Sequence, residues 1–223
     1  MSLVIIAVLV GASYVVTAEW PSVALAPQAR SLANALLCSA AGVWVTFGPD
    51  AAPTLLSTHP VIPPTLAAFA GYMVADLYLK KPLPRDIQLH HLLMLVLVAA
   101  RGWAGAGDGF VGLAMLAEVS TIPLTVRNSL AALGRRVPRW LDVLFAVAFA
   151  ATRLTLIPTA VARLAADRGV PWHSILLYHL RWPCWLGSLA VQALFVHWWL
   201  AIVRRGRLTR RTCRAAVAST DPH

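Results

Sequence analysis

The 223-residue chain is too apolar for a soluble domain: 59% of its residues are hydrophobic and 13% are charged, against about 45–50% and 25% in soluble folds. Its mean hydropathy of +0.69 also excludes a disordered chain, because disorder requires low hydrophobicity and high charge. At about 20 apolar residues per span, the length allows six or seven transmembrane helices and no separate soluble domain. The composition therefore predicts an all-α integral membrane protein built as a helix bundle.

Seven apolar segments can be drawn along the chain. The first lacks a basic leader region and an Ala-x-Ala sequence before Glu19, so we expect a retained span rather than a signal peptide. The third has Pro63 and Pro64 in its first turn, where proline is tolerated. Several segments lie near the lower length limit of a span, which leaves six or seven helices open. The segments are residues 2–18, 31–47, 61–79, 88–103, 109–127, 140–163 and 174–202.

The net charge of +10 indicates topology rather than nucleic-acid binding, since Lys and Arg accumulate on the cytoplasmic side of membrane proteins. With seven spans, one side carries fourteen of the nineteen basic residues. We therefore expect a cytoplasmic C-terminus and an N-terminus facing the lumen or exterior. The fourteen residues are Arg30, Lys80, Lys81, Arg85, Arg127, Arg135, Arg136, Arg139, Arg204, Arg205, Arg207, Arg210, Arg211 and Arg214.

Charged and strongly polar residues inside the spans are candidate site residues, because each is costly in a bilayer. Glu118 and Arg153 lie at similar depths and are expected to form a buried contact. This contact either belongs to the functional site or only locks two helices together. His90 and His91 open the fourth segment, where histidines also serve as interfacial caps. His179, with its neighbour Arg181, either faces the site or the luminal headgroups.

A metal site is a competing interpretation for Asp76, Asp86, His90 and His91. Asp86 and His90 are four residues apart and could share a helix face. The sequence contains no His-x-x-x-His, and zinc-dependent membrane hydrolases would need further histidines at related depth. Three scattered cysteines exclude a thiolate zinc site by count and form no disulfide framework. We expect no metal and no resident cofactor.

The fragment Gly71-Tyr72-x-x-x-Asp76, followed after about fourteen residues by His90-His91, resembles the core signature of the TLC-domain family. The block Glu118-x-Ser120-Thr121-x-Pro123, which continues to Arg127-Asn128, strengthens the resemblance. Arg153 in the following helix also falls where the family tends to place an arginine. The resemblance covers roughly residues 30–205 and implies a bundle of six to seven helices enclosing an apolar lipid tunnel. It divides the chain into a first span and loop (1–29), the bundle (30–205) and a basic tail (206–223).

Ceramide synthases in this family acylate the amine of a sphingoid base with acyl-CoA. The resemblance implies that His90 and His91 are catalytic and that Asp76 orients and polarises one imidazole. It also implies a substrate-binding role for Tyr72, Glu118, Thr121, Arg153 and His179. The chemistry agrees, because an attacking amine must lose a proton and imidazole titrates nearest neutrality. One histidine could instead accept the acyl group itself.

Two departures separate the chain from ceramide synthases. Their His-His-x-x-Thr reads His90-His91-Leu92-Leu93-Met94 here, and a lone Glu118 stands where they carry an Asp-x-x-Asp pair. These differences favour the small TLC-domain relatives, whose implied roles range from lipid acylation to control of membrane composition and trafficking. The expected function is an acyl-CoA-dependent N-acyltransferase on an amine-bearing lipid, and the alternative is a non-catalytic lipid-binding protein.

The expected partners are membrane lipids and fatty acyl-CoA, without nucleic acid, and a homodimer is left open. The resemblance implies the endoplasmic reticulum for a eukaryotic chain and the inner membrane for a bacterial one.

The charge distribution gives a direct topological prediction. In intact right-side-out vesicles a C-terminal tag should be protected from protease and an N-terminal tag should be accessible. The reason is that the side of the bundle with most basic residues faces the cytoplasm. Protease protection of each tag measures this, and the reverse pattern would refute the predicted orientation.

Overall fold

The computed structural model describes residues 25–79, 83–166 and 186–204, and every regular element in these ranges is a helix. The helices lie within a few residues of the predicted segments. The first predicted segment and the start of the last lie outside the described residues. The helices are α1 (Ala26–Phe47), α2 (Ile62–Leu79), α3 (Arg85–Ala104), α4 (Asp108–Ala132), α5 (139–166) and α6 (Leu186–Arg204).

Four of these helices, α2, α4, α5 and α6, are long and apolar enough to cross a membrane. Their apolar stretches run from 18 to 25 residues, and a span requires about 20. The helices α1 and α3 have 22 and 20 residues and are therefore about 30 Å long or more. They are less apolar because α1 carries Gln28, Arg30 and Asn34, and α3 carries Asp86, His90, His91 and Arg101.

The outer surface of the bundle is apolar, whereas several of its charged residues are buried. Large hydrophobic side chains such as Phe47, Tyr78 and Val147 are more than 60% exposed, while Asp76 and Arg153 are 3% and 6% exposed. A soluble protein rarely exposes apolar surface on this scale. Together with the apolar spans, this arrangement shows a multi-pass membrane protein with lipid-facing helices.

Within the described ranges the helices pack in a ring whose order differs from their order in the chain. Pairwise contacts connect α1 with α2, α2 with α3, and α1 with α4, and α4 in turn packs on α5. The last helix closes the ring, because Phe195 contacts both His90 of α3 and Phe149 of α5. The order around the ring is therefore α1, α2, α3, α6, α5 and α4.

Neighbouring helices in the ring run antiparallel. Ser31 of α1 contacts Thr125 of α4, whereas Gly42 lies beside Gly112. The start of α1 and the end of α4 therefore share one end of the bundle. We call this the basic end, because it carries Arg30, Arg85, Arg127, Arg139 and Arg204.

The main hydrophobic core is centred on the half of the ring away from the basic end. Val45, Ile62 and Met115 come from three helices and meet there, and the cluster continues through Phe69 to Met73 near the middle of α2. The opposite end is fastened by the Asp108 carboxylate, which pairs with Arg101 and accepts a hydrogen bond from a loop backbone amide. The other buried charged residues are distributed along the bundle: Asp76 lies near the basic end, and Arg153 lies near the middle of α5.

Helix α4 and helix α5 both depart from α-helical geometry in their middle. Residues Leu116–Ser120 form a 3-10 turn shortly before Pro123, and Ala150–Leu156 form a π-helical segment just before Pro158. Proline lacks an N–H group and its ring clashes with the carbonyl four residues earlier, which favours a local change of helical pitch. The two irregular turns carry Glu118 and Arg153.

The close approach of α1 and α4 gives a packing prediction. A Cβ atom at Gly42 would lie 2.7 Å from the backbone oxygen of Gly112, so Gly42→Ala should force the helices apart and destabilise the bundle by about 1–3 kcal/mol. Thermal unfolding in detergent measures this. A Cβ at Gly102 would meet nothing within 4 Å, so Gly102→Ala is the control and should cause no loss of stability. Equal melting temperatures for the two variants would contradict the predicted close packing.

Candidate functional site

Helices α2 and α3 bring the predicted carboxylate and one predicted histidine together. Asp76 lies three residues from the end of α2 and His91 six residues into α3, and both are buried. The His91 Nδ1 atom is 3.9 Å from the Asp76 Oδ2 atom. The Tyr72 ring, one turn before Asp76, meets the His91 ring edge-on with centroids 6.1 Å apart. Asp76, His91 and Tyr72 thus form one buried group.

The neighbouring histidine faces a different helix. The His90 ring lies 5.2 Å from the Trp198 ring and 5.9 Å from the Phe195 ring of α6. Its Nδ1 atom is buried and has no hydrogen-bond partner among the described residues. Consecutive helix residues point about 100° apart, which is why the two histidines have different surroundings although their rings remain 5.8 Å apart.

Helix α6 is fixed to α3 by a hydrogen bond beside this histidine. The Trp198 indole N–H donates to the Asp86 carboxylate over 2.6 Å. Asp86 lies one turn before His90, so the bond holds the Trp198 ring against the imidazole. Asp86 therefore contributes to the site by positioning an aromatic neighbour of His90.

Arg153 is the centre of a second polar group, built on the irregular turns of α4 and α5. The guanidinium donates to the Ser120 hydroxyl over 3.0 Å and to the Thr121 hydroxyl over 3.0 Å. It also contacts the Glu118 carboxylate over 3.4 Å. The predicted contact between Glu118 and Arg153 is therefore confirmed, and the two hydroxyl groups add further polar partners to the buried cation.

A phenylalanine joins the two groups. The Arg153 guanidinium lies 4.8 Å from the centre of the Phe195 ring, and His90 contacts the same ring. The carboxylate, both histidines and the buried arginine thus belong to one site within the ring of helices.

This site contains groups suited to proton transfer and to stabilising an oxyanion. An imidazole beside a carboxylate can accept a proton, and a guanidinium can hold a negative oxygen. Within the described residues, no three His, Cys, Asp or Glu side chains are placed to hold a metal ion.

Residues 25–204 match the family model described as the TLC domain. The chain belongs to the TLC-domain family. No curated protein and no solved structure gives a significant match. All the site residues described above lie within the TLC-domain match, and the family resemblance predicted from the Asp76, His90-His91 and Glu118 signatures is confirmed. Membership indicates a lipid-related function in a membrane.

The structure of this TLC-domain protein gathers most of the predicted site residues and adds others. His179 lies outside the described residues. The predicted residues that meet in the ring are Tyr72, Asp76, His90, His91, Glu118, Thr121 and Arg153.

Sequence reasoning did not assign Ser120, Phe195 or Trp198 to the site. Ser120 lay within the quoted signature and could have been found there. The aromatic pair gave no signal, because aromatic residues are ordinary in a span and at its interface.

The buried ion pair allows a double-mutant cycle. Glu118→Gln and Arg153→Met should each change the free energy of unfolding. In the double variant the change should differ from the sum of the two by about 0.5–3 kcal/mol, because the partners are in contact and buried. Reversible unfolding in mixed micelles measures the three changes. The exposed Arg127–Asp142 pair is the control, and its coupling energy in the same kind of cycle should be about 1 kcal/mol or less. Additive effects at Glu118 and Arg153 would show that the pair contributes nothing to stability.

Proposed function

We propose that this protein is an integral-membrane N-acyltransferase that moves a fatty acyl group from acyl-CoA to an amine-bearing lipid. The observation that carries the proposal is the buried His91 imidazole beside the Asp76 carboxylate, with the His90 ring at its side. A carboxylate that faces one ring nitrogen favours the tautomer whose other nitrogen is free to accept a proton. Such an imidazole is a suitable general base for an attacking amine.

The reaction balances with these groups. The amine nitrogen attacks the thioester carbonyl carbon, its proton passes to the histidine, and the carbon–sulfur bond breaks as the new amide bond forms. The CoA thiolate leaves and takes up the proton from the imidazolium. In the two-step alternative, a histidine nitrogen first displaces CoA to give an acyl-imidazole, which the amine then cleaves.

Arg153 supports the oxyanion of the tetrahedral intermediate in this proposal. A cation held in place by Ser120, Thr121 and Glu118 needs little reorganisation as negative charge develops on an oxygen. Tyr72 and His179 are assigned to substrate binding. The apolar side chains around Phe195, including Val191 and Leu97, are suited to contact the acyl chain in an elongated pocket.

The location of the site also suits two substrates of opposite solubility. His90 lies five residues, about 7.5 Å, into α3 from the basic end, which we assign to the cytoplasm, where water-soluble acyl-CoA is present. The lipid acceptor would come from the bilayer around the ring. An enzyme of this kind would work in the endoplasmic reticulum of a eukaryotic cell or the inner membrane of a bacterial one.

The experiment is acyl transfer by the purified protein in nanodiscs, with labelled acyl-CoA and a panel of amine-bearing lipids. His91→Ala and His90→Ala should each lower kcat by about 100-fold or more, because each removes a group at the reacting atoms. His197 is exposed on α6, next to Trp198, and His197→Ala is the matched control that should keep full activity. Mass spectrometry of the wild-type protein for an acylated histidine separates the two-step route from direct transfer.

A non-catalytic lipid-binding protein is the second candidate function. It is favoured by the Leu92-Leu93-Met94 continuation after the histidines and by the protein partners that already surround the Arg153 guanidinium. It predicts that wild-type protein turns over no amine-bearing lipid and that the histidine variants lose thermal stability only. That result would refute the acyltransferase proposal.

A further inference from the structure

One buried cation at the basic end is not used by the site described above. Arg30, four residues into α1, is 8% exposed. Its Nη1 atom is buried and has no hydrogen-bond partner among the described residues. Burying a guanidinium without a partner is costly, so this position requires an anion or another acceptor from outside the described chain.

Arg30 continues the interior face of α1. Arg30, Asn34 and Cys38 follow one another at intervals of four residues and are all buried, and we call them the α1 polar row. Cys38 belongs to the hydrophobic core between the helices and donates its S–H to the Asn34 side-chain oxygen. The row therefore leads from the basic end into the interior of the bundle.

The level of Arg30 matches that of the histidine group. Arg30 lies about 6 Å from the start of α1, Asp76 about 4.5 Å from the end of α2, and His90 about 7.5 Å from the start of α3. All three distances are counted from the same end of the ring. A molecule that enters there and reaches the histidines passes at the depth of the Arg30 side chain.

We propose that Arg30 binds a phosphate group, as the anion subsite at the entrance to the ring. A guanidinium presents paired donors that fit phosphate oxygens, and the basic end attracts such anions. The phosphate comes either from CoA, in which case the inference rests on the acyltransferase proposal, or from the phosphodiester headgroup of a phospholipid that occupies the site. The shared chemistry is one phosphate on the Arg30 guanidinium.

The experiment measures binding to the full-length protein without turnover. Coenzyme A is titrated against wild type, Arg30→Gln and Arg30→Lys in nanodiscs of uncharged lipid, with pantetheine, which carries no phosphate, as the matched ligand. Phospholipid that co-purifies with each variant in detergent is quantified by mass spectrometry. Arg85 is exposed at the same end, so Arg85→Gln removes an equal charge outside the subsite.

For the CoA source we expect Arg30→Gln to weaken coenzyme A binding about tenfold or more, because a charge-assisted bond is lost. Arg30→Lys should show a smaller loss, since it keeps the charge but not the paired donors. Pantetheine binding should be equal in all variants, and Arg85→Gln should behave as wild type. For the lipid source, the co-purified phospholipid should fall in Arg30→Gln while coenzyme A affinity is unchanged.

Unchanged coenzyme A affinity together with unchanged co-purified phospholipid in the Arg30 variants would overturn the proposal, as would an equal effect of Arg85→Gln. If Arg30→Gln does not give a monodisperse protein, Arg30→Lys decides the same question, because it preserves the buried charge. Failure of the acyltransferase proposal would appear separately, as wild-type protein without acyl transfer, and would leave these binding results interpretable.

Discussion

The arrangement of this protein depends on the presence of a buried cation in the middle of a membrane-spanning bundle. Arg153 requires polar partners at its own depth, because neither lipid nor apolar side chains can solvate it. Glu118, Ser120 and Thr121 supply them from α4. The rings of Phe149 and Phe195 cover the guanidinium from α5 and α6. Three helices are thereby fixed in rotation and depth around one side chain, and His90 is placed against the same Phe195 ring.

Two prolines help to place these groups. Pro123 and Pro158 each follow a turn whose pitch differs from that of an α-helix. A tighter turn in α4 and a wider turn in α5 change the direction in which the intervening residues project. The two irregular turns carry the polar residues that meet, and an uninterrupted α-helix at either place would point them in different directions. Both helices thus give up regular α-helical geometry at the turns that form the polar site.

Much of the fold could be predicted from composition and hydropathy alone. The bounds of the described helices lie within a few residues of the apolar segments, apart from the start of the last segment, which lies outside the described residues; span length and charge flanks are strong signals. The contact of Glu118 with Arg153 followed from matched depth. Asp76 was expected to orient one imidazole of the pair, and only the structure shows that the imidazole beside it is that of His91. The order of helices around the ring could not be predicted, since it depends on side-chain packing between segments that are distant in the chain.

The site was less predictable than the fold for the same reason. Phe195 and Trp198 carry no sequence signal that separates them from lipid-facing aromatics, and only the position of α6 between α3 and α5 makes them part of the site. Arg30 was counted as one of many residues that set topology, because its burial depends on the neighbouring helices. The chemistry-bearing residues were thus recognisable, whereas the side chains that position them were not.

The position of α6 has a consequence for how the protein is made. It is the last of the described helices to be synthesised, yet it stands between α3 and α5, which are both made before it. Until it inserts, α3 and α5 have no partner on their facing sides, and His90 lacks the two aromatic rings that cover it. Membrane helices insert first and associate afterwards, so an unfinished chain holds its polar interior open to lipid or to the insertion machinery. The two aromatic rings of α6 therefore cover His90 only after this helix has joined the bundle.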